Sequence, residues 1–195
     1  MSKKFIIAVI ATIVFCCGII GYNYYQKIFG EAITKDAELY IKSSDSLMDI
    51  KNSIEGISKN PNTFLLVAAK KNFSKPKSGR YLLKKGMSNN DLINMLRIGN
   101  QTPIKLSFNN QDTLEKLAGR LAQQLETDST SLLKSFKDKD FLLKNNLTEK
   151  SVLQIFIPNS YEFYWNTSAD KFRNKLFKEY NRFWNESRLS KAKTS

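Results

Sequence analysis

The chain opens on an apolar run and then changes character. From Phe5 to Tyr22 it reads FIIAVIATIVFCCGIIGY, with Thr12 the only clearly polar side chain. About 18 such residues suffice to cross a hydrocarbon core as a slightly short helix. Asn23 to Tyr25 follow, with tyrosines of the kind that favour the membrane interface. The pattern predicts a membrane helix over residues 5–25, a short tip over 1–4 and a polar stalk over 26–37. Lys3 and Lys4 precede the run, which holds the tip in the cytoplasm and exports the rest. Bulky residues follow the run, so no A-x-A-like cleavage site is visible, and Phe15 stands where a lipoprotein site needs a small residue.

After the stalk one pattern recurs three times: a short alternating or β-branched run, a turn, a capping residue and an amphipathic helix. The first copy is Glu38 to Ile41 with Ser46 to Ile50, and the second Arg80 to Leu83 with Ser88 to Leu92. The third is Pro103 to Phe108 with Thr113 to Leu117. Ser46 with Asp49 and Ser88 with Asp91 read as capping boxes, in which the hydroxyl and the carboxylate satisfy each other's helix-start N–H groups. In the third copy Asp112 and Glu115 are expected to make that pairing. Leu92, Ile93, Leu96 and Ile98 follow a 3.6-residue period that stops at Gly99, and Leu114, Leu117, Ala118, Leu121 and Leu125 follow another.

A further helix runs from about Pro61 to Asn72, with proline in its first turn, where a missing N–H does no harm. From Asp128 to Lys150 short helices turn Leu132, Leu133, Phe136, Phe141, Leu142 and Leu143 inward. From about Ser168 a long helix places Phe172, Leu176, Tyr180, Phe183 and Trp184 on one side and runs on through Arg188 to Lys193. The fold class is therefore α+β behind one membrane helix, with a βα module over 38–101 and a mostly helical region over 102–195.

Charge and composition narrow the chemistry. The 195 residues carry 31 Lys+Arg against 18 Asp+Glu, a net charge of +13. Nucleic acid, anionic lipid and an acidic polymer such as cell wall are the usual partners of such an excess. The basic residues alternate with acidic ones rather than forming a stripe, and the anchor removes them from the cytoplasm, so nucleic acid is not expected as a partner. With no histidine in the chain, a Ser-His-Asp triad, a Cys-His pair and His-ligated metal are excluded. Cys16 and Cys17 are adjacent inside the apolar run, a poor arrangement for zinc or a loop-closing disulfide. No metal or cofactor is expected.

One segment stands apart. Ile155 to Ser168 reads IFIPNSYEFYWNTS and packs five aromatics around a Pro158-Asn159-Ser160 turn. Rings beside polar groups suit a pyranose, which has an apolar face and a rim of hydroxyls. Asn159, Tyr161, Glu162 and Trp165 are the candidate substrate-binding residues, and Glu162 is expected to be shielded. The plainer reading makes the aromatics core, Pro158-Asn159 a turn and Glu162 a solvated or paired carboxylate.

Several of these pieces, in order, resemble the YceG-like family of MltG-type endolytic murein transglycosylases, in the form found in Bacteroidetes-type bacteria. They are Ser78-Gly79-Arg80-Tyr81 with Lys85-Gly86-Met87-Ser88, Leu92-Ile93 with Leu96-Arg97-Ile98-Gly99, and Thr113 through Leu125. The most specific are Phe156 through Ser168 and Lys178-Glu179-Tyr180 with Phe183-Trp184. The resemblance implies an inner-membrane protein with a periplasmic body, a LysM-like module over 38–101 and the start of a transglycosylase domain over 102–195. Its implied partners are peptidoglycan glycan strands, the membrane through Phe5 to Tyr25, and the cell-wall synthases. The implied reaction cuts nascent strands between N-acetylmuramic acid and N-acetylglucosamine, the muramyl C6 hydroxyl attacking C1 to leave a 1,6-anhydro end. One glutamate serves as acid and then base, unlike the two-carboxylate hydrolases.

Two departures temper that picture. The family's catalytic glutamate is expected in a Ser-Ile-Val-Glu-Glu-like helix beyond Ser195, so none of Glu162, Glu179 and Glu186 takes the role by motif. Where many members carry Leu-Glu-Gly, this chain has Val152-Leu153-Gln154. The expectation is a chain that binds glycan weakly without cutting it and is loosely packed from about Leu125 onward. The alternative is a non-catalytic anchored peptidoglycan-binding module, which the codons after Ser195 would distinguish.

Overall fold

The computed structural model describes residues 3–185 and Arg188. They divide into two compact units, one ending at Thr102 and the other beginning at Pro103.

In the first unit, helix α1 (Lys3–Phe29) contains no buried residue. From Phe5 to Tyr22 it is apolar on every side apart from Thr12, which is the pattern of a helix surrounded by lipid rather than by protein. Strand β1 (Ala37–Ile41), helices α2 (Leu47–Ser53) and α3 (Pro61–Lys70), strand β2 (Gly79–Leu83) and helix α4 (Asn89–Ile98) follow. β1 and β2 pair antiparallel with Leu39 opposite Tyr81 and Ile41 opposite Gly79. The inward-facing Leu39, Ile41, Tyr81 and Leu83 meet Ile50, Ile54, Phe64, Val67, Leu92, Ile93 and Leu96 from the helices to form one core.

Both expected capping boxes are present, Ser46 with Asp49 and Ser88 with Asp91. Asn60 caps α3 ahead of Pro61. α4 ends on Gly99 at φ 78°, ψ 42°, a left-handed conformation in which a Cβ is disfavoured. Ile98, expected inward, is exposed because the helix has turned its last residue away before that cap.

The segment read as a stalk is a structural part of this unit. α1 continues to Phe29, and Ala32 and Ile33 are then buried. Their N–H groups both donate to Met87 O at 3.0 Å, Thr34 N–H donates to Ile57 O, and Lys59 N–H donates to Ala32 O. Gly86 N–H in turn donates to Ile33 O. A mixed segment whose few apolar residues follow neither a helical nor a strand period carries no clear signal, so only its tertiary partners reveal its place.

Across the exposed face of the small sheet, Glu38 receives Arg80 Nε–H at 3.1 Å and is also held by Arg80 Nη2 and by the Tyr40 hydroxyl. The Arg80 hydrogen bond, followed by that of Tyr40, pulls the Glu38 carboxyl down to about 2 from an ordinary 4.5. A depressed carboxyl contributes stability that is present above its unfolded value and is lost as pH falls through the folded one. Glu38 is 47% exposed, so the pair is worth at most about 1 kcal/mol. Melting curves from pH 6 to pH 2 should show the wild-type first unit losing more stability than Glu38→Gln. Parallel profiles would contradict the assignment.

The second unit comprises β3 (Ile104–Phe108), α5 (Leu114–Ala122), α6 (Ser129–Phe136), α7 (Lys139–Lys144), a 3-10 turn over Val152–Ile155, β4 (Asn159–Phe163) and α8 (Ala169–Phe183). β3 and β4 pair antiparallel, with Ile104 opposite Phe163, Leu106 opposite Tyr161 and Phe108 opposite Asn159. The cap of α5 is Thr113, whose hydroxyl accepts from Lys116 N–H. Asp112 does not cap as expected: its carboxylate pairs with the Lys116 ammonium at 2.7 Å.

The core joins Leu106, Phe108, Leu117, Leu121, Leu132, Phe136, Val152, Ile155, Phe156, Phe163, Phe172 and Leu176. Phe172 lies 4.7 Å from Phe163 between ring centroids, and Phe136 lies 4.5 Å from Phe156. The loose packing expected beyond Leu125 is therefore not what the first turns of α8 show. α6 and the 3-10 turn supply the partner layer that the helix needs. Arg173 is buried beneath it, donating to Ser135 O at 2.6 Å and lying 4.0 Å above the Phe141 ring. Leu143 is 77% exposed rather than inward, because α7 has only six residues and buries just Phe141 and Leu142. Tyr180 is half-buried, whereas Phe183 and Trp184 are 39% and 37% exposed. The expected run through Lys193 lies, apart from Arg188, outside the described residues.

Candidate functional site

The expected Pro158-Asn159-Ser160 turn opens straight into a strand. Pro158 precedes β4, and Asn159 and Ser160 already stand opposite Phe108 and Ser107. A proline at the entry of a strand forfeits no ladder bond, which is why the position tolerates it. The local signal of proline, asparagine and serine says turn, and the non-local pairing with β3 overrides it.

β4 and α8 together line two clefts. One, of about 320 Å³, is bounded by Ile157, Asn159 and Tyr161 on the strand side and by Glu179, Arg182, Phe183, Asn185 and Arg188 on the helix side. The other, of about 380 Å³, holds Pro103, Glu162, Phe163, Tyr164, Thr167, Lys171 and Lys175. On α8 these residues recur at positions 171, 175, 179 and 182–183, one stripe of a helix. The adjoining face of the helix carries the buried Ala169, Phe172, Arg173 and Leu176.

The four candidate residues are thus divided. Asn159 and Tyr161 share the first cleft. Glu162 stands in the second and is exposed, not shielded as expected, because even positions of β4 point away from the core. Trp165 is half-buried and lines neither, and its carbonyl accepts from Glu126 N–H. Of the neighbouring aromatics, Phe156 and Phe163 are core, as the plainer reading required, while Tyr164 is exposed.

Within the first cleft the Tyr161 hydroxyl donates to Ile157 O at 2.7 Å and its ring stacks on Phe108 at 5.8 Å. Burial first, and then the Glu179 charge, push the Tyr161 phenol above its ordinary value of 10.0. The Arg188 guanidinium lies 4.1 Å over the Phe183 ring and also donates to Phe183 O. In the second cleft Lys175 lies 4.4 Å over Phe163 and donates to Glu162 O, covering an edge carbonyl of β4. The arrangement offers aromatic surface, amide groups and guanidinium groups side by side, the equipment for a sugar that carries carboxylates.

Sequence reasoning missed Arg182, Asn185 and Arg188, together with Lys171 and Lys175. Lys171 and Lys175 are four residues apart and Arg182, Asn185 and Arg188 three apart, a helical spacing beside the Phe172 and Leu176 face that was the available signal, and charges on such a face ordinarily read as solvated surface.

The fold is that of a mixed α+β protein with one N-terminal helix long and apolar enough to cross a membrane. A model of the YceG-like family matches residues 39–195, and the chain belongs to that family. Among solved structures, the 2.6 Å crystal structure of a YceG-like protein from Listeria monocytogenes matches at 22% identity and a TM-score of 0.44. The match covers 82% of this chain and 59% of that one, so this chain spans under two thirds of the length of its structural relative. No curated protein gives a significant match.

Proposed function

We propose that these 195 residues are the membrane anchor, a LysM-like module and a glycan-holding region of an endolytic peptidoglycan lytic transglycosylase. The family match over residues 39–195, which takes in both units behind the apolar helix, carries the reading. An inner-membrane, single-pass placement with a periplasmic body is supported by Lys3 and Lys4 ahead of the apolar run. The antiparallel β1–β2 pair with α2 and α3 between its strands supports the LysM-like reading.

In this reading a strand leaving the membrane synthases lies along β4 and α8. A pyranose face rests against Phe183, Asn159 and Asn185 meet the hydroxyl rim, and Arg182 faces a carboxylate of the stem peptide. Glu162 marks the continuation of the path past Lys171 and Lys175. The family reaction, cleavage between N-acetylmuramic acid and N-acetylglucosamine to a 1,6-anhydro end, is assigned to the whole enzyme. No catalytic role is assigned to Glu162 or Glu179.

The test is sedimentation of the full chain, in mild detergent, with insoluble peptidoglycan. Losing one charge-assisted contact weakens binding by about tenfold. Arg182→Ala with Asn159→Ala, both on exposed positions, should weaken binding by at least that factor with an unchanged melting temperature. Wild-type binding by the double variant would contradict the site. Release of 1,6-anhydro products by the chain would contradict the absence of a catalytic role within it.

A further inference from the structure

The foot of α1 carries a cleft that glycan binding does not use. It encloses about 270 Å³ where the end of α1 meets the α2–α3 connection and the start of α4, and Lys27, Glu31, Lys59, Thr63 and Asn89 line it. Asn89 is only 2% exposed. Its Nδ2 donates to Lys27 O and to Thr63 Oγ1, each at 3.0 Å. Its Oδ1 is buried and has no partner among the described residues. A buried acceptor without a donor is costly, and because Asn89 lines the cleft, an N–H or O–H donor entering there would relieve that cost.

The depth of the cleft says what can enter. A helix rises about 1.5 Å per residue, so a hydrocarbon core of about 30 Å takes up about 20 residues. Counted from Phe5, that ends near Tyr24, with Tyr22, Tyr24 and Tyr25 in the interfacial position such residues favour. Lys27 and Glu31 then fall roughly 5–10 Å further out, in the headgroup layer. The helix does not break before the module begins: Gly30 N–H still donates to Gln26 O at 2.9 Å, and Ala32 is already bonded to Met87. The cleft is therefore held at headgroup depth by the covalent run of α1.

Its charges are of both signs. Lys27 lies in the last turn of α1, and Lys59 pairs with Glu31 at 2.6 Å. That hydrogen bond with Lys59 keeps the Glu31 carboxyl below its ordinary value. A bare phosphate would meet the lysines and leave Asn89 Oδ1 unanswered. A choline headgroup has no N–H to offer, and a glycerol headgroup has hydroxyls but no cation for Glu31.

We propose that this cleft seats the headgroup of an ethanolamine phospholipid, its phosphodiester against Lys27 and Lys59 and its ammonium donating to Asn89 Oδ1 beside Glu31. The inference rests on reading α1 as a membrane-spanning helix. A lipid bound there joins α1, the α2–α3 connection and the start of α4 to the leaflet surface.

The test uses the full chain, delipidated in mild detergent and titrated with phosphatidylethanolamine, phosphatidylcholine or phosphatidylglycerol of matched acyl chains, with bound lipid counted by native mass spectrometry. Phosphatidylethanolamine should bind about tenfold more tightly than phosphatidylcholine, the worth of one charge-assisted hydrogen bond. Glu31→Gln should bring the two lipids closer together, and Lys27→Gln should weaken both alike. Equal affinity for the two in the wild type, phosphatidylglycerol matching phosphatidylethanolamine, or a preference untouched by Glu31→Gln would each overturn the proposal. Carbonate extraction of membranes separates this failure from a failure of the anchor. A chain that stays in the membrane without the preference refutes the headgroup site alone, and a chain that washes off refutes the anchor and the site together.

Discussion

Replacing Phe172 with alanine is expected to destabilise the second unit strongly while the first is unchanged. Phe172 is fully buried, and its ring packs on Phe163, Phe136 and Phe156 from β4, α6 and the turn before β4. Removing a buried phenylalanine costs about 3–5 kcal/mol, because the transfer energy is lost and the cavity does not fully collapse. Domains are stable by only about 5–15 kcal/mol, so a large part of the margin goes. Amide exchange in α6 and α8 should accelerate by about a thousandfold, with α3 and α4 unchanged. Equal acceleration in both units would show that they unfold as one body.

The second large effect lies where a tether would give none. Ile33→Ala should destabilise the first unit by about 2–4 kcal/mol, the range for truncating a buried aliphatic side chain. Ile33 is fully buried against the first unit's core, and its backbone is bonded to Met87 and Gly86. A residue of a flexible stalk would tolerate the change within about 0.5 kcal/mol. Thermal unfolding of the two proteins in the same detergent decides between them, and an unchanged melting temperature would return the segment to the role of tether.

What the sequence made legible, and what it hid, follows from the range of each signal. Three strand–cap–helix units were visible because Ser46, Ser88 and Thr113 act on N–H groups three residues away, and because hydrophobic period is a local property. The long apolar N-terminal helix was visible for the same reason. The place of Ile33 was hidden, since its partners Met87 and Ser58 lie far along the chain. Asp112 was misplaced by one helical position because Thr113 and Asp112 are both good caps, and only the geometry of Lys116 separates them.

At the candidate site, Asn159 and Tyr161 were singled out by the clustering of rings with amides, and the structure places both in one cleft. Glu162 was misjudged because the alternation of a strand, set by the pairing of Ile104 with Phe163, sends it to a different cleft. Arg182, Asn185 and Arg188 were missed because they join Tyr161 only after α8 folds back along β4.

The central claim is that the β4–α8 surface holds a peptidoglycan strand on a membrane-tethered chain. Hydrogen exchange of the full chain in micelles, with and without an uncrosslinked muramyl–glucosaminyl oligosaccharide, tests it most directly. The account predicts added protection at Asn159–Phe163 and along α8 from Glu179 to Phe183, with α6 unaffected. Protection confined to the first unit, or none in either, would contradict it.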